Sequence, residues 1–252
     1  MAADEPKLSL LAFDTCFDAC SVAVRVDANL ASERRAARLE LMAKGHAERL
    51  FPLIDEVLRT TGATYSDLDG IAVTNGPGSF TGTRVGIAAA RGLALATGLP
   101  VFGASSLAAI AGSALRHHHG ADNVRPIAVC VDARRGQLYM QLVGAADAKP
   151  VTKPRIINIG EAASALPMAG EFRLAGNGTE VLRSAANNDA ALDRALSRAT
   201  MMVGEAICDA EALLDVWLER LNPPKTLYLR APDAKPQAGK SIPKAFTGTG
   251  EL

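Results

Sequence analysis

The chain has 252 residues, enough for one large or two small domains. Hydrophobic residues make up 48% and charged residues 21%, as in an ordinary globular protein, and the formal net charge is zero. A neutral chain has no global field that attracts nucleic acid or an anionic membrane. No apolar run approaches the ~18–20 residues of a membrane span, so we expect no transmembrane helix.

The cysteines and the N-terminus both favour a cytoplasmic protein. The four cysteines are too sparse for a disulfide scaffold, so we expect reduced, buried thiols at Cys16, Cys20, Cys130 and Cys208. Acidic residues and no basic segment precede the first apolar stretch, which is unlike a signal peptide.

The first elements along the chain are a hairpin and a helix. Apolar runs at residues 8–14 and 20–27 predict two strands, the first of which ends at Asp14. Residues 45–61 are predicted to be helical because apolar side chains recur every three or four positions on one face. That face consists of Ala47, Leu50, Phe51, Ile54, Val57 and Leu58.

A strand at 71–74 leads into a glycine-rich loop, residues 76–82, and then into a helix at 81–97 that consists almost wholly of small residues. Glycines in such a loop let another group approach the backbone, and a helix N-terminus binds anions. The spacing fits no known phosphate loop, since five residues separate Gly76 from Gly82 and no lysine follows. Phosphate binding and a purely structural entry into the helix both stay open.

The helix at 81–97 carries a smooth stripe of small residues. Gly82, Gly86 and Ala90 lie four apart, and Val85, Ala89 and Leu93 run beside them. Such a stripe must be covered by the protein's own core or by a partner, because monomers rarely expose large apolar patches. The apolar face of the 45–61 helix could lie next to it.

The hairpin pattern occurs twice. Residues 127–132 form a second apolar strand that ends in an aspartate, a turn follows at 133–136, and a return strand follows at 137–143. Asp14 and Asp132 therefore match at a distance of 118 positions, which suggests two lobes of related fold. The two acids either place Mg²⁺ and phosphates in a cleft or cap hairpin turns.

The rest of the chain has fewer motifs. A strand at 172–175 precedes Gly176-Asn177-Gly178, Thr179 is a candidate helix cap, and a longer helix is expected at 203–221. Residues 231–252 are expected to be disordered. The histidines do not suggest a metal site, since His46 stands alone and 117–119 form a polar connection.

Five blocks of sequence together resemble the TsaB (YeaZ) family. They are LLAFDT at 10–15, GHAERLFPLI at 45–54, GPGSFTGTRVG at 76–86, VDARRGQLY at 131–139 and YLR at 228–230. The resemblance implies an α/β protein with the actin-like (ASKHA) fold, in which two lobes each hold a mixed β-sheet flanked by helices. It also implies an N-terminal lobe at 1–104, completed by the helix at 203–221, and a C-terminal lobe at 105–200.

The resemblance further implies a role in making N6-threonylcarbamoyladenosine at position 37 of tRNA. In that family the protein is a non-catalytic partner of a TsaD-type transferase, which works with a TsaE-type ATPase. ATP and Mg²⁺ then belong to the complex, the chain alone needs no cofactor, and tRNA is contacted only indirectly. The H-x-x-x-H metal ligands of TsaD-type proteins are missing, since Met42 and Leu50 flank His46 at that spacing.

These observations define the predicted sites. Docking to the partner is assigned to the helices 45–61 and 81–97, through Leu50, Ile54, Gly82, Val85, Gly86, Ala89, Ala90 and Leu93. Alone, the same surface would form a homodimer. A vestigial nucleotide cleft is assigned to Asp14, Asp132, Gly176 and Gly178, the two glycines because relatives hold an adenosine there. The alternative is an actin-like ATPase or hydrolase that acts through Asp14 and Asp132; no protease constellation supports the older glycoprotease label.

Overall fold

A computed structural model describes residues 8–26, 32–117, 124–202 and 208–229. Within these ranges the chain forms two mixed sheets, one of six strands and one of five, with helices on both sides. This is the two-lobed α/β architecture that the repeated hairpin predicts. The expected tail at 231–252 and most of the polar connection at 117–119 lie outside the described residues.

The first sheet is built mainly from the N-terminal part of the chain. Its strands are β1 (Leu10–Asp14), β2 (Ala19–Val26), β3 (Arg34–Leu41), β4 (Gly70–Thr74) and β5 (Val101–Ala104). β1 pairs antiparallel with β2 and parallel with β4, which confirms the first hairpin. The short strand β11 (Glu219–Arg220) pairs with β5, so the order is β11-β5-β4-β1-β2-β3.

Both faces of this sheet are covered. Successive side chains of a strand point to opposite faces, and accordingly Leu11 and Phe13 pack against two helices while Leu10 and Ala12 pack on the other side. The two helices are α1 (His46–Thr61), which runs through Pro52 without interruption, and α2 (Phe80–Thr97). Gly62 ends α1 in the left-handed conformation, as a C-cap glycine should.

The second sheet repeats the hairpin. Its strands are β6 (Ile127–Asp132), β7 (Gln137–Val143), β8 (Arg155–Asn158), β9 (Phe172–Ala175) and β10 (Ala199–Met201), in the order β10-β9-β6-β7-β8. Three short helices cover one face, namely α4 (Ala162–Ala165), α5 (Gly178–Ala186) and α6 (Ala190–Leu196). β8, β10, α4 and α6 carry no strong periodicity and were not predicted.

The helix α3 (Ser106–His117) lies between the two sheets. Its residues Leu107 and Ile110 share one buried cluster with Leu10 of the first sheet and Val129 of the second. Ser105 caps α3, since its hydroxyl oxygen accepts a hydrogen bond from the Ala108 amide at 3.0 Å. One continuous core therefore joins the lobes.

The predicted helix at 203–221 is wrong where the chain is described. Residues 208–221 contain only a 3-10 turn at Ala212–Leu214 and the strand β11. The apolar spacing arises because Ala210, Leu213 and Leu214 are buried between the sheets, while the Leu221 amide bonds the Val101 carbonyl in the first sheet at 2.8 Å. The segment thus contacts the first lobe as an edge strand rather than as a helix.

All four cysteines are buried, as expected, and none of them is paired with another cysteine. No helix among the described residues is both long and apolar enough to cross a lipid bilayer.

Candidate functional site

Asp14, the first predicted cleft acid, is fully buried at the end of β1. One carboxylate oxygen accepts a short hydrogen bond from the Thr74 hydroxyl, and the other accepts a bond from the Cys16 amide at 3.2 Å. Burial raises the pKa of the Asp14 carboxyl, although the hydrogen bonds from Thr74, Cys208 and Cys16 partly oppose it. The carboxylate is therefore enclosed by its own protein.

Asp132, the second acid, lies partly exposed at the end of β6. Its carboxylate accepts a hydrogen bond from the Arg134 amide at 2.7 Å. Arg134, Arg135 and Gly136 all adopt positive φ, at 63°, 58° and 71°. Non-glycine residues rarely do so, and the aspartate bond stabilises this tight turn. Of the two roles left open by the sequence, Asp132 takes the capping one.

Gly176 and Gly178 pack against the backbone of β6. A Cβ atom on Gly176 would lie 2.1 Å from the carbonyl oxygen of Cys130, and one on Gly178 would lie 2.9 Å from it. Gly176 also has a φ of +98°. Both positions need glycine because two stretches of backbone approach each other. The neighbouring Asn177 precedes α5 in place of the predicted cap Thr179, and its side-chain oxygen accepts a bond from the Asp132 amide at 2.9 Å.

Three of these residues, Asp14, Gly176 and Gly178, do not fit a magnesium nucleotide. Mg²⁺ needs carboxylate oxygens that reach waters and phosphates, whereas the Asp14 oxygens are buried on Thr74 and Cys16. The space beside Gly176 and Gly178, where an adenosine was expected, is occupied by the Cys130 backbone. Among the residues that the structure describes, no group of three His, Cys, Asp or Glu side chains could hold a metal ion.

The glycine-rich loop contacts the first hairpin. The Ser79 amide donates to the Cys16 carbonyl at 2.7 Å, and a Cβ on Gly78 would lie 2.4 Å from that same oxygen. The Ser79 hydroxyl oxygen caps α2 by accepting from the Gly82 amide at 3.0 Å. The structural explanation of the loop is therefore correct, since the glycines bring backbone to backbone and the helix supplies its own cap.

The predicted docking residues are wrong as an exposed surface. Seven of them are buried in the cluster that α1 and α2 form with the first sheet or against the first hairpin, and Val85 is half-buried. The seven are Leu50, Ile54, Gly82, Gly86, Ala89, Ala90 and Leu93. The smooth stripe lets α2 approach the hairpin and the sheet, so the own-core alternative is the correct one.

The outer faces of the same helices carry two exposed apolar residues: Phe51, which the sequence assigned to the apolar face of α1, and Leu95, which it did not single out. Leu95 of α2 is 90% exposed, and Phe51 of α1 is 46% exposed. Gly92 lies on the outer face of α2 as well. Because both helices cover one face of the same sheet, their outer faces point the same way. They form what we call the outer helical face, defined by Phe51, Gly92 and Leu95.

An Asp14→Asn variant should show that the buried carboxylate has a structural role. Because the pKa of the Asp14 carboxyl is raised in the folded protein, its ionisation lowers the stability of the fold. The stability of the unchanged protein should therefore rise as the pH falls towards the unfolded pKa of ~3.9. Asparagine keeps an acceptor for the Cys16 amide without the charge. We expect equal or higher stability at pH 7 and a flatter pH dependence above about pH 4, measured by urea unfolding. A less stable variant at pH 7 would contradict this.

The chain is similar to known proteins both in sequence and in fold. The family model for TsaD, described as tRNA N6-adenosine threonylcarbamoyltransferase, matches residues 39–212. The tRNA threonylcarbamoyladenosine biosynthesis protein TsaB of Escherichia coli K12 is 39% identical over 132 residues, which cover 52% of this chain and 53% of that protein. The match thus spans about half the length of this curated relative.

Two further relatives match over nearly their whole length. An uncharacterized protein of Mycobacterium tuberculosis is 31% identical over 246 residues, which cover 91% of this chain and 95% of the relative. A crystal structure from Pseudomonas aeruginosa, titled as an uncharacterized protein with similarity to peptidase YEAZ, superposes with a TM-score of 0.70 at 27% identity. It covers 88% of this chain and 99% of the other.

Proposed function

Since the chain belongs to the TsaB (YeaZ) family, we propose that it serves threonylcarbamoyladenosine biosynthesis in tRNA as a non-catalytic partner of a TsaD-type transferase in the cytoplasm. The names of its relatives support the pathway. The main observation that supports a partner role is that the Asp14 carboxylate is fully buried. An actin-like enzyme would need that carboxylate at its phosphates, so this chain leaves ATP and Mg²⁺ to the transferase and to a TsaE-type ATPase.

We assign docking to the outer helical face. Leu95 and Phe51 expose apolar side chains on neighbouring helices, and Gly92 leaves room for a partner helix to come close. Apolar side chains at the centre of an interface supply much of the binding energy. In the absence of the transferase the same face would pair two copies of the chain.

A Leu95→Asp variant tests this proposal. An aspartate at the centre of the interface would be desolvated without a partner, so we expect binding to the TsaD-type protein of the same cell to weaken by about tenfold or more, roughly 1.4 kcal/mol. Binding is measured by calorimetry, and threonylcarbamoyl transfer to tRNA is measured on the mixture. The fold should stay intact because Leu95 is exposed.

The matched control is Met168→Asp, which places the same charge at a 91% exposed apolar residue beside the second sheet. It should bind the partner and support modification like the unchanged chain. Equal binding by both variants would refute docking at the outer helical face. Micromolar binding of ATP by the isolated chain, lost in Asp14→Ala, would instead refute the non-catalytic role.

A further inference from the structure

A groove with a volume of about 440 Å³ runs between α2 and the segment 224–228. Its lining consists of Arg84, Ile87, Ala88, Arg91, Pro224, Lys225, Thr226 and Tyr228. We propose that this groove binds the phosphate backbone of RNA, so that the chain contacts tRNA directly. The inference deepens the proposed function and rests on it, and it replaces the expectation that tRNA is contacted only indirectly.

The charged residues that line the groove are all positive. Arg84, Arg91 and Lys225 line it, and none of its lining residues is acidic. Several arginines elsewhere are matched by carboxylates, as in the pairs Arg38–Glu56 at 2.6 Å and Arg116–Glu211 at 2.6 Å. Within the described part of the chain, Arg91 and Lys225 form no ion pair. Local positive charge can thus attract an anion although the chain is neutral overall.

Aromatic rings border the groove and are held in place. Phe80 and Tyr228 are each 46% exposed, and their ring centroids lie 5.8 Å apart. The Arg84 guanidinium lies 3.6 Å from the centroid of Phe80, and its Nε donates to the Tyr228 hydroxyl at 2.6 Å. Single-stranded RNA binds to surfaces of this kind, because its bases stack on half-exposed aromatic rings and its phosphates contact the neighbouring cations.

The spacing of the cations favours a chain of phosphates over a single one. Arg84 and Arg91 are seven residues apart on α2, which places them roughly 10 Å apart along the helix axis. An acidic peptide would also be attracted, but it would not use two half-exposed aromatic rings. A free nucleotide shares the phosphate chemistry, so the experiment must separate it from RNA.

The test uses the full chain in complex with its TsaD-type partner. Affinity for labelled tRNA is measured by fluorescence anisotropy at several salt concentrations, for the unchanged complex and for an Arg91→Gln/Lys225→Gln variant. We expect about tenfold weaker binding at low salt and a salt slope reduced by about 2, one for each phosphate contact. The control Arg183→Gln/Arg194→Gln removes two exposed charges from α5 and α6 and should bind tRNA normally.

Each other result overturns the inference. Equal losses in both variants would mean non-specific attraction. Loss of partner binding on size exclusion would assign the groove to protein docking. Displacement of tRNA by polyglutamate or by ATP at micromolar concentration would assign it to an acidic peptide or to a free nucleotide. If the unchanged complex does not form, the proposed function fails; if it binds tRNA and the groove variant binds equally, only the groove assignment fails.

Discussion

Replacing Gly82 by alanine is expected to destabilise the protein by at least about 3 kcal/mol. The added Cβ would clash with rigid backbone, and not with a flexible side chain that could move away. A Cβ on Gly82 would lie 1.9 Å from the carbonyl oxygen of Thr15 and 3.1 Å from its carbonyl carbon. The Thr15 hydroxyl already donates to the Gly82 carbonyl at 2.7 Å. The contact between the α2 N-terminus and the first hairpin would have to open.

Gly92→Ala in the same helix is the matched control. A Cβ on Gly92 meets no atom within 4 Å, and alanine favours a helix interior over glycine by up to about 1 kcal/mol. The free energy of unfolding, measured in urea, should therefore fall for Gly82→Ala and stay equal or rise for Gly92→Ala. Equal stabilities would show that the hairpin and α2 do not pack as described.

The contrast between these two glycines illustrates what the sequence can predict. Both stand in one run of small residues. The four-residue spacing places Gly82 on the smooth stripe, but it does not show what covers that stripe. The hairpins, α1 and α2 follow from local patterns of apolar and turn residues. Which face of α2 is buried depends on the hairpin brought to it from residues 14–18, and no local pattern contains that information.

The prediction of a helix over residues 208–221 was wrong for a related reason. The apolar residues of this segment recur at helical spacing, but they fill a gap between two sheets that only the complete fold creates. The basic groove was equally hidden, because Lys225 and Tyr228 reach α2 from more than a hundred residues away. Arg84 gave one signal, since a cation near the N-terminal end of a helix is unfavourable unless an anion is near.

A cluster of charges fastens the segment 208–221 to the rest of the fold. The Asp215 carboxylate accepts from Arg25 at 3.0 Å, from Arg35 at 2.9 Å and from Arg116 at 3.1 Å. Arg25 is only 3% exposed, and its Nε also donates to the Leu8 carbonyl at 3.1 Å. Burial would raise the pKa of the Asp215 carboxyl, but the hydrogen bond and the charge of Arg35, with those of Arg25 and Arg116, outweigh it and lower the pKa.

We expect Asp215→Ala to cost about 2–3 kcal/mol of stability at pH 7, less than a fully buried pair because Asp215 is one-third exposed. The buried Arg25 would lose its carboxylate. The pKa of the Asp215 carboxyl is lowered in the folded protein. The ionised carboxylate therefore stabilises the fold fully above the unfolded pKa of ~3.9, and this stabilisation is lost as the pH falls through the folded pKa. The stability gap between the two proteins should therefore narrow below about pH 4 in urea unfolding, whereas Asp55→Ala on the surface of α1 should change stability by less than about 0.5 kcal/mol. A gap independent of pH would show that the loss comes from packing and not from the charge of Asp215.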